Sequence, residues 1–147
     1  MMSRLADVIS DGRGGVFATS LSKQDLGDGL TQPGVVFFDI DGSKFRTATQ
    51  FLAALGEQLK VPDLAEAEDW GYLDECLVDL DEFPAAGSFV ILFDQFQHLA
   101  RTEPAKWETI LSVFGHAVKA GRSRQKPMFV FLRGEPLPTG LPVIDQI

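Results

Sequence analysis

Two carboxylates spaced by one residue close the apolar run Val35-Val36-Phe37-Phe38, giving Asp39-Ile40-Asp41-Gly42-Ser43. At the end of a buried strand, such a pair suits phosphoryl transfer. Carboxylates can serve as nucleophiles and as proton carriers. The same letters also spell a strand that simply runs into a turn, because Asp-Gly is a common turn dipeptide. What surrounds the pair must decide between these readings.

The D-x-D-G run resembles the nucleophile motif of haloacid-dehalogenase-type phosphatases, but the resemblance is short. An enzyme of that kind also needs a Ser or Thr closing a second strand, a Lys, and a further acidic pair to hold Mg²⁺. Here the next apolar run ends Phe93-Asp94-Gln95, the last ends Leu132-Arg133-Gly134, and no later acidic pair follows. Other catalytic patterns are weaker. His98 and His116 are the only histidines, and no Ser or Cys sits in a nucleophile motif. No Cys/His spacing fits a metal, and Asp11-Gly12-Arg13-Gly14-Gly15 lacks the length and the Lys of a phosphate loop. Asp74 and Glu75 are adjacent, so on a helix they point about 100° apart and cannot share a proton. The residues predict no catalytic group, no metal ligand and no cofactor.

Three apolar runs must carry any site: residues 35–40, 89–94 and 128–133. Each is continuous rather than alternating, as in parallel strands covered on both faces. A shorter run, residues 15–19, predicts an additional edge strand after a brief helix near residues 3–10. Between the strands lie helical patterns. Phe51, Leu52, Leu55 and Leu59 mark a helix from Ala48, closed by Val61-Pro62. Asp69 is the expected N-cap of a second helix with an inward stripe of Trp70, Leu73, Leu77 and Leu80. Its outer faces carry Asp74, Glu75, Asp79 and Asp81. A short helix is expected near residues 95–100. A longer one runs from Pro104 to about Ala120, burying Trp107, Ile110, Leu111 and Phe114 and ending at Gly121. The order β-α-α-β-α-β predicts an α/β domain with a small three-stranded parallel sheet and a possible extra N-terminal strand. Residues 1–34 read as an extension, 35–133 as the domain, and 134–147, rich in Pro and Gly, as an irregular tail.

Composition narrows the function classes. A chain of 147 residues with 45% apolar residues and 12 Phe can fill one core. The apolar runs are too short to cross a bilayer, and the N-terminus has no export signal. A single cysteine, Cys76, excludes a disulfide framework and fits a reducing cytoplasm, where it packs as a small apolar group. The net charge of -8 argues against nucleic acid as a direct partner. Its distribution says more. Between Lys60 and Arg101 there is no Lys or Arg, whereas Asp63, Glu66, Glu68, Asp69, Asp74, Glu75, Asp79, Asp81, Glu82 and Asp94 lie there. That block carries -10, leaving about +2 for the remainder. Such a block either solvates a face or attracts a basic partner.

Taken together, one helix, then Val61-Pro62 to Pro84 with its acidic helix, then residues 89–94, resembles the barstar family of ribonuclease inhibitors. Trp70, Leu73, Leu77, Leu80, Phe83 and Pro84 match the family framework. Residues 39–45 match the turn after its first strand, 110–121 its last helix and 128–132 its last strand. The resemblance covers residues 35–133, and the segment before it is similar to the leader of longer barstar-like proteins. It implies a non-enzymatic inhibitor that covers the basic active site of a ribonuclease with an acidic helix and the loop before it. The carboxylates stand where RNA phosphates would go.

Carried over by position, the family's principal inhibitory Asp falls on Glu75 and the acid one turn earlier on Gly71. The loop aromatics and Gly become Leu64, Ala65 and neighbours, and the loop Asn becomes Asp69. The Glu of the last helix falls on His116. The partner-binding set implied is Glu68, Asp69, Gly71, Tyr72, Asp74, Glu75 and His116, within residues of about 64–82 plus the last helix. Tyr72 enters as an aromatic contact. Three functions stay open: an immunity-type inhibitor of a basic ribonuclease or toxin, a barstar-like regulatory or scaffolding domain with a non-nuclease partner, and, least favoured, the phosphatase. The oligomeric state is not legible.

Overall fold

A computed structural model describes residues 2–66, 68–80 and 83–147. Asp81 and Glu82 of the acidic block lie outside these residues.

The three long apolar runs form β3 (Val35–Asp41), β4 (Ser88–Asp94) and β5 (Met128–Arg133). They pair in parallel without a register break, Val35 opposite Ser88 and Phe89 opposite Met128. Their lack of polar alternation has a direct cause. Phe89, Ile91 and Phe93 of β4 enter one apolar cluster while Val90 and Leu92 enter another on the opposite face. On β5, Met128, Val130 and Leu132 divide from Phe129 and Phe131 in the same way. Neither face of β4 or β5 meets water, so neither selects polar residues, whereas β3 at the edge exposes Asp39.

Four helices cover the first face: α3 (Ala48–Gln58), α4 (Trp70–Asp79), α5 (Gln97–Thr102) and α6 (Pro104–Ser123). Their core is aromatic, with Phe51 stacked on Phe93 at 5.2 Å and Trp107 edge-on to Phe93 at 5.6 Å. Helix α3 starts with a reciprocal cap, Thr47 accepting from the Gln50 N–H while the Gln50 side chain accepts from the Thr47 N–H. The second face is covered by α1 (Leu5–Asp11) and α2 (Lys23–Leu30), through Leu5, Leu26 and Leu30.

The sheet is larger than the sequence suggests. It has six strands rather than three, in the order β1-β6-β2-β5-β4-β3, with β1 at Met2–Arg4, β2 at Gly15–Thr19 and β6 at Val143–Gln146. The run expected at an edge, β2, is interior: it pairs with β5 on one side and β6 on the other. The tail is irregular from Gly134 to Pro142 and then supplies β6. Helix α6 also runs past Gly121 to Ser123. Gly121 lies inside the helix, whose C-cap is Arg124, and glycine is required there because a Cβ would come within 2.7 Å of the Lys126 carbonyl. Helix α2 was not foreseen. Its start is signalled by Ser22, whose side chain accepts from the Asp25 N–H, but Gly27 and Gly29 dilute the helical pattern.

The open edge at β3 is partly closed by a side chain. The Gln58 carboxamide accepts from the Asp39 N–H at 2.9 Å and donates to the Asp39 carbonyl at 2.7 Å.

Candidate functional site: the acidic face of helix α4

Helix α4 is fixed from three sides. Asp69 caps its start by accepting from the Tyr72 N–H at 3.0 Å. Leu73 and Leu77 are fully buried, and Leu80 ends the helix in the left-handed conformation with φ 50°. Arg124, beyond α6, donates to the Val78 carbonyl and lies over the Phe89 ring. The loop before α4 is anchored by Leu64, buried in the turn Pro62–Ala65, and by Gly56, where a Cβ would meet the Val61 carbonyl at 2.7 Å.

The expected residues do not form one cluster. They divide between two faces of α4, as adjacent positions on a helix must. Tyr72 and Glu75 are exposed and line a groove of about 190 Å³ together with Cys76, Asp79, Leu59, Val61, Leu80 and Phe83. Its floor is apolar and its open side is acidic. The electrostatic character shows in two neighbours. Desolvation, with the negative charges of Asp63 and Glu75 adding, holds the Tyr72 hydroxyl above its ordinary pKa. Burial, then Glu75, Asp63 and Asp79, does the same for the Cys76 thiol. Among the described residues, Asp63, Glu75 and Asp79 have no hydrogen bond or ion pair from their carboxylates.

The other expected residues turn elsewhere. Asp74 faces α6, where its Oδ1 lies 3.4 Å from His116 Nδ1. Glu68 accepts from Lys106 at 2.8 Å and from Thr49 at 3.2 Å, and Lys106 also pairs with Glu103 at 3.3 Å. The Lys106 hydrogen bond is the main reason the Glu68 carboxyl sits below its ordinary pKa. Gly71 is exposed, and a Cβ there would meet only Asp69 Oδ1 at 3.4 Å. Position 71 therefore has room for a side chain. Asp79 lines the groove and Asp63 acts on its Tyr72 and Cys76, although the sequence reading did not select either as a site residue. The signal was present in the spacing Tyr72, Glu75, Cys76, Asp79, which marks one helical stripe.

The D-x-D-G residues take structural roles. Asp41 caps the short 3-10 turn Gly42–Lys44 by accepting from the Ser43 N–H at 3.0 Å and the Ser43 hydroxyl at 2.6 Å. Gly42 lies where a Cβ would come within 2.6 Å of the Asp94 and Gln95 carbonyls, so glycine is required by contact. Asp39 is exposed, with Lys23 at 3.5 Å. Among the described residues no group of three or more His, Cys, Asp or Glu is placed to hold a metal, and no helix is long and apolar enough to cross a membrane.

A search of curated proteins returns no match. The family model described as Barstar (barnase inhibitor) matches residues 35–133, which span β3 to β5 and contain α4 and its loop. The chain belongs to the barstar family.

Proposed function

We propose that this protein inhibits a basic ribonuclease or toxin by docking the α4 groove over the enzyme's cationic site. The observation that carries this reading is the trio Asp63, Glu75 and Asp79, which crowd one exposed face beside Tyr72 without a partner among the described residues. Carboxylates held close together by a capped and anchored helix repel one another until a cation arrives. An arginine or lysine cluster relieves that repulsion, and the resulting attraction speeds encounter in a salt-dependent manner. Tyr72 and the apolar floor supply the desolvated centre that such pairs need to resist water. The family's inhibitory character supports the same direction.

The test is calorimetric titration against barnase and against any basic nuclease encoded beside the gene, at low and moderate salt. Binding that weakens with salt and falls at least tenfold in a Glu75→Gln, Asp79→Asn double variant is expected. The same variant should melt no lower than the parent, since the two exposed carboxylates have no described partner to lose. Salt-independent binding, or binding that survives the double substitution, would overturn the proposal.

A second reading, a barstar-like domain serving a non-nuclease partner, has its own support. Gly71 carries no charge, and Asp74 and Glu68 face His116 and Lys106 within the molecule. Failure to protect cells expressing a ribonuclease toxin, with a non-nucleolytic protein retained on immobilised chain through the same α4 residues, would favour it.

A further inference from the structure

The sheet creates a second concave site, remote in kind from the acidic helix. The chain leaving β2 passes through α2 on one face, whereas the chain leaving β4 passes through α5 and α6 on the other. β5 lies between these two strands, so a crevice opens beyond its C-terminal end. Open parallel sheets bind their ligands at such divergence points. Here the crevice has a volume of about 340 Å³ and is lined by Thr19, Ser20, Gln95, Gln97, Arg133 and Glu135, among others. That volume is at the lower end for small-molecule sites. It takes residues from the extension and the tail as well as from the family domain, so the added strands are what complete it.

Its charges cancel. Arg133 Nη1 donates to Asp94 Oδ1 at 2.7 Å, and its Nε donates to the Leu21 carbonyl at 2.7 Å. With Glu135 at the rim, the lining holds no net positive charge, which disfavours a phosphate or another anion. What remains is a set of uncharged hydrogen-bonding groups. The Thr19 hydroxyl is already engaged, donating to the Ile144 carbonyl at 2.7 Å and accepting from the Leu21 N–H at 3.1 Å. The two carboxamides are engaged only with each other. Gln97 Nε2 donates to Gln95 Oε1 at 2.7 Å, and the Gln95 amide protons have no acceptor among the described residues. Gln97 Oε1 is sealed from water and has no donor among the described residues. A buried carbonyl without a donor is unfavourable; it packs against Gly134, and turning its carboxamide about the last torsion exchanges the bond to Gln95 Oε1 for one from an arriving donor. Gln95 itself is held at φ 56°, a conformation a glutamine adopts only under constraint, with its N–H donating to the Arg133 carbonyl.

We propose that this crevice binds a small uncharged molecule carrying an amide or lactam group, its N–H meeting Gln97 and its carbonyl meeting Gln95. Two sources share that chemistry, a nucleobase and a simple carboxamide, and the test separates them.

Full-length ¹⁵N-labelled chain is titrated with uridine, propionamide, uridine 5′-monophosphate and glucose, following the side-chain amides of Gln95 and Gln97 and the Gly134 N–H. Saturable shifts with uridine or propionamide are expected, and the tighter of the two identifies the source. Gln97→Leu should weaken that binding roughly tenfold; because it also removes the donor to Gln95 Oε1, its thermal unfolding is followed alongside to show that the variant is folded. Ser20→Trp, at the exposed rim, should abolish it by filling the space. Glu75→Gln should leave it unchanged, which keeps this site separate from the acidic face. No shift with either amide probe, tighter binding of the monophosphate, equal binding of glucose, persistence in both crevice variants, or loss in Glu75→Gln would each overturn the proposal.

Discussion

Two acid-bearing regions of this molecule follow opposite rules. Around the C-terminal ends of the strands and the turns near them, carboxylates are paired: Asp94 with Arg133, Asp41 with Ser43, and Glu68 with Lys106. At the α4 groove, Glu75 and Asp79, with Asp63 nearby, stand exposed with no partner among the described residues. The first arrangement contributes to folding. The second contributes nothing to it and is mildly unfavourable through like-charge repulsion. A surface that a fold does not need, and that slightly strains it, is intelligible when something outside the fold completes it.

The contrast can be broken most sharply at Asp94. Its side chain is 9% exposed, so Asp94→Asn leaves the Arg133 charge half-buried without its counter-ion. Urea unfolding should show a loss of about 3 kcal/mol, far beyond the effect of neutralising Glu75 and Asp79. Equal effects at the two places would erase the distinction.

A smaller change is expected at the cap that holds the acidic face in register. Asp69→Ala removes the acceptor for the Tyr72 N–H and should cost about 1 kcal/mol. If Asp69 serves only as a cap, Asp69→Ser restores stability without restoring any charge. Thermal unfolding and partner affinity, measured together, would separate its two roles.

The smallest effect is the pH response of Glu68. Its carboxyl is held below the ordinary value of 4.5, so its stabilising contact is present above that pH. The contact is lost as the pH falls from there through the lowered value. Lys106, raised above 10.5 by the same hydrogen bond, loses the contact only as the pH climbs past that point. Unfolding measured across the acid range should therefore fall less steeply in Glu68→Gln. An unchanged acid limb would mean that Glu68 belongs with the unpaired group.

The sequence displays most clearly what burial enforces on both faces. β4 and β5 could be read because no residue in their centres meets water, β3 because Val35 to Phe38 form one apolar run, and α4 because Asp69, Leu73 and Leu77 combine a cap with an apolar stripe. β6 could not, because its four residues, Val143–Gln146, carry one buried position and follow a Pro- and Gly-rich stretch. β2 reads as an edge strand because its interior position depends on that distant segment, which local pattern does not reveal. The candidate site was legible as a helix and a charge block. It was less legible residue by residue, since pairing with α6 and α3 depends on where Lys106, His116 and Thr49 arrive in space. Gly121 makes the same point: its spacing suggests a helix end, whereas the requirement comes from a carbonyl five residues ahead.

The Gln58 clamp on β3 has a consequence for how the protein behaves among copies of itself. A bare outer strand offers its free amide and carbonyl groups to any extended segment that drifts alongside, and aggregation often begins there. At Asp39 both groups are already occupied by one carboxamide from α3. An incoming strand would have to break two hydrogen bonds before making its own. A single glutamine thus acts as a false neighbour at the open side of the sheet, standing where a strand of another copy would otherwise pair.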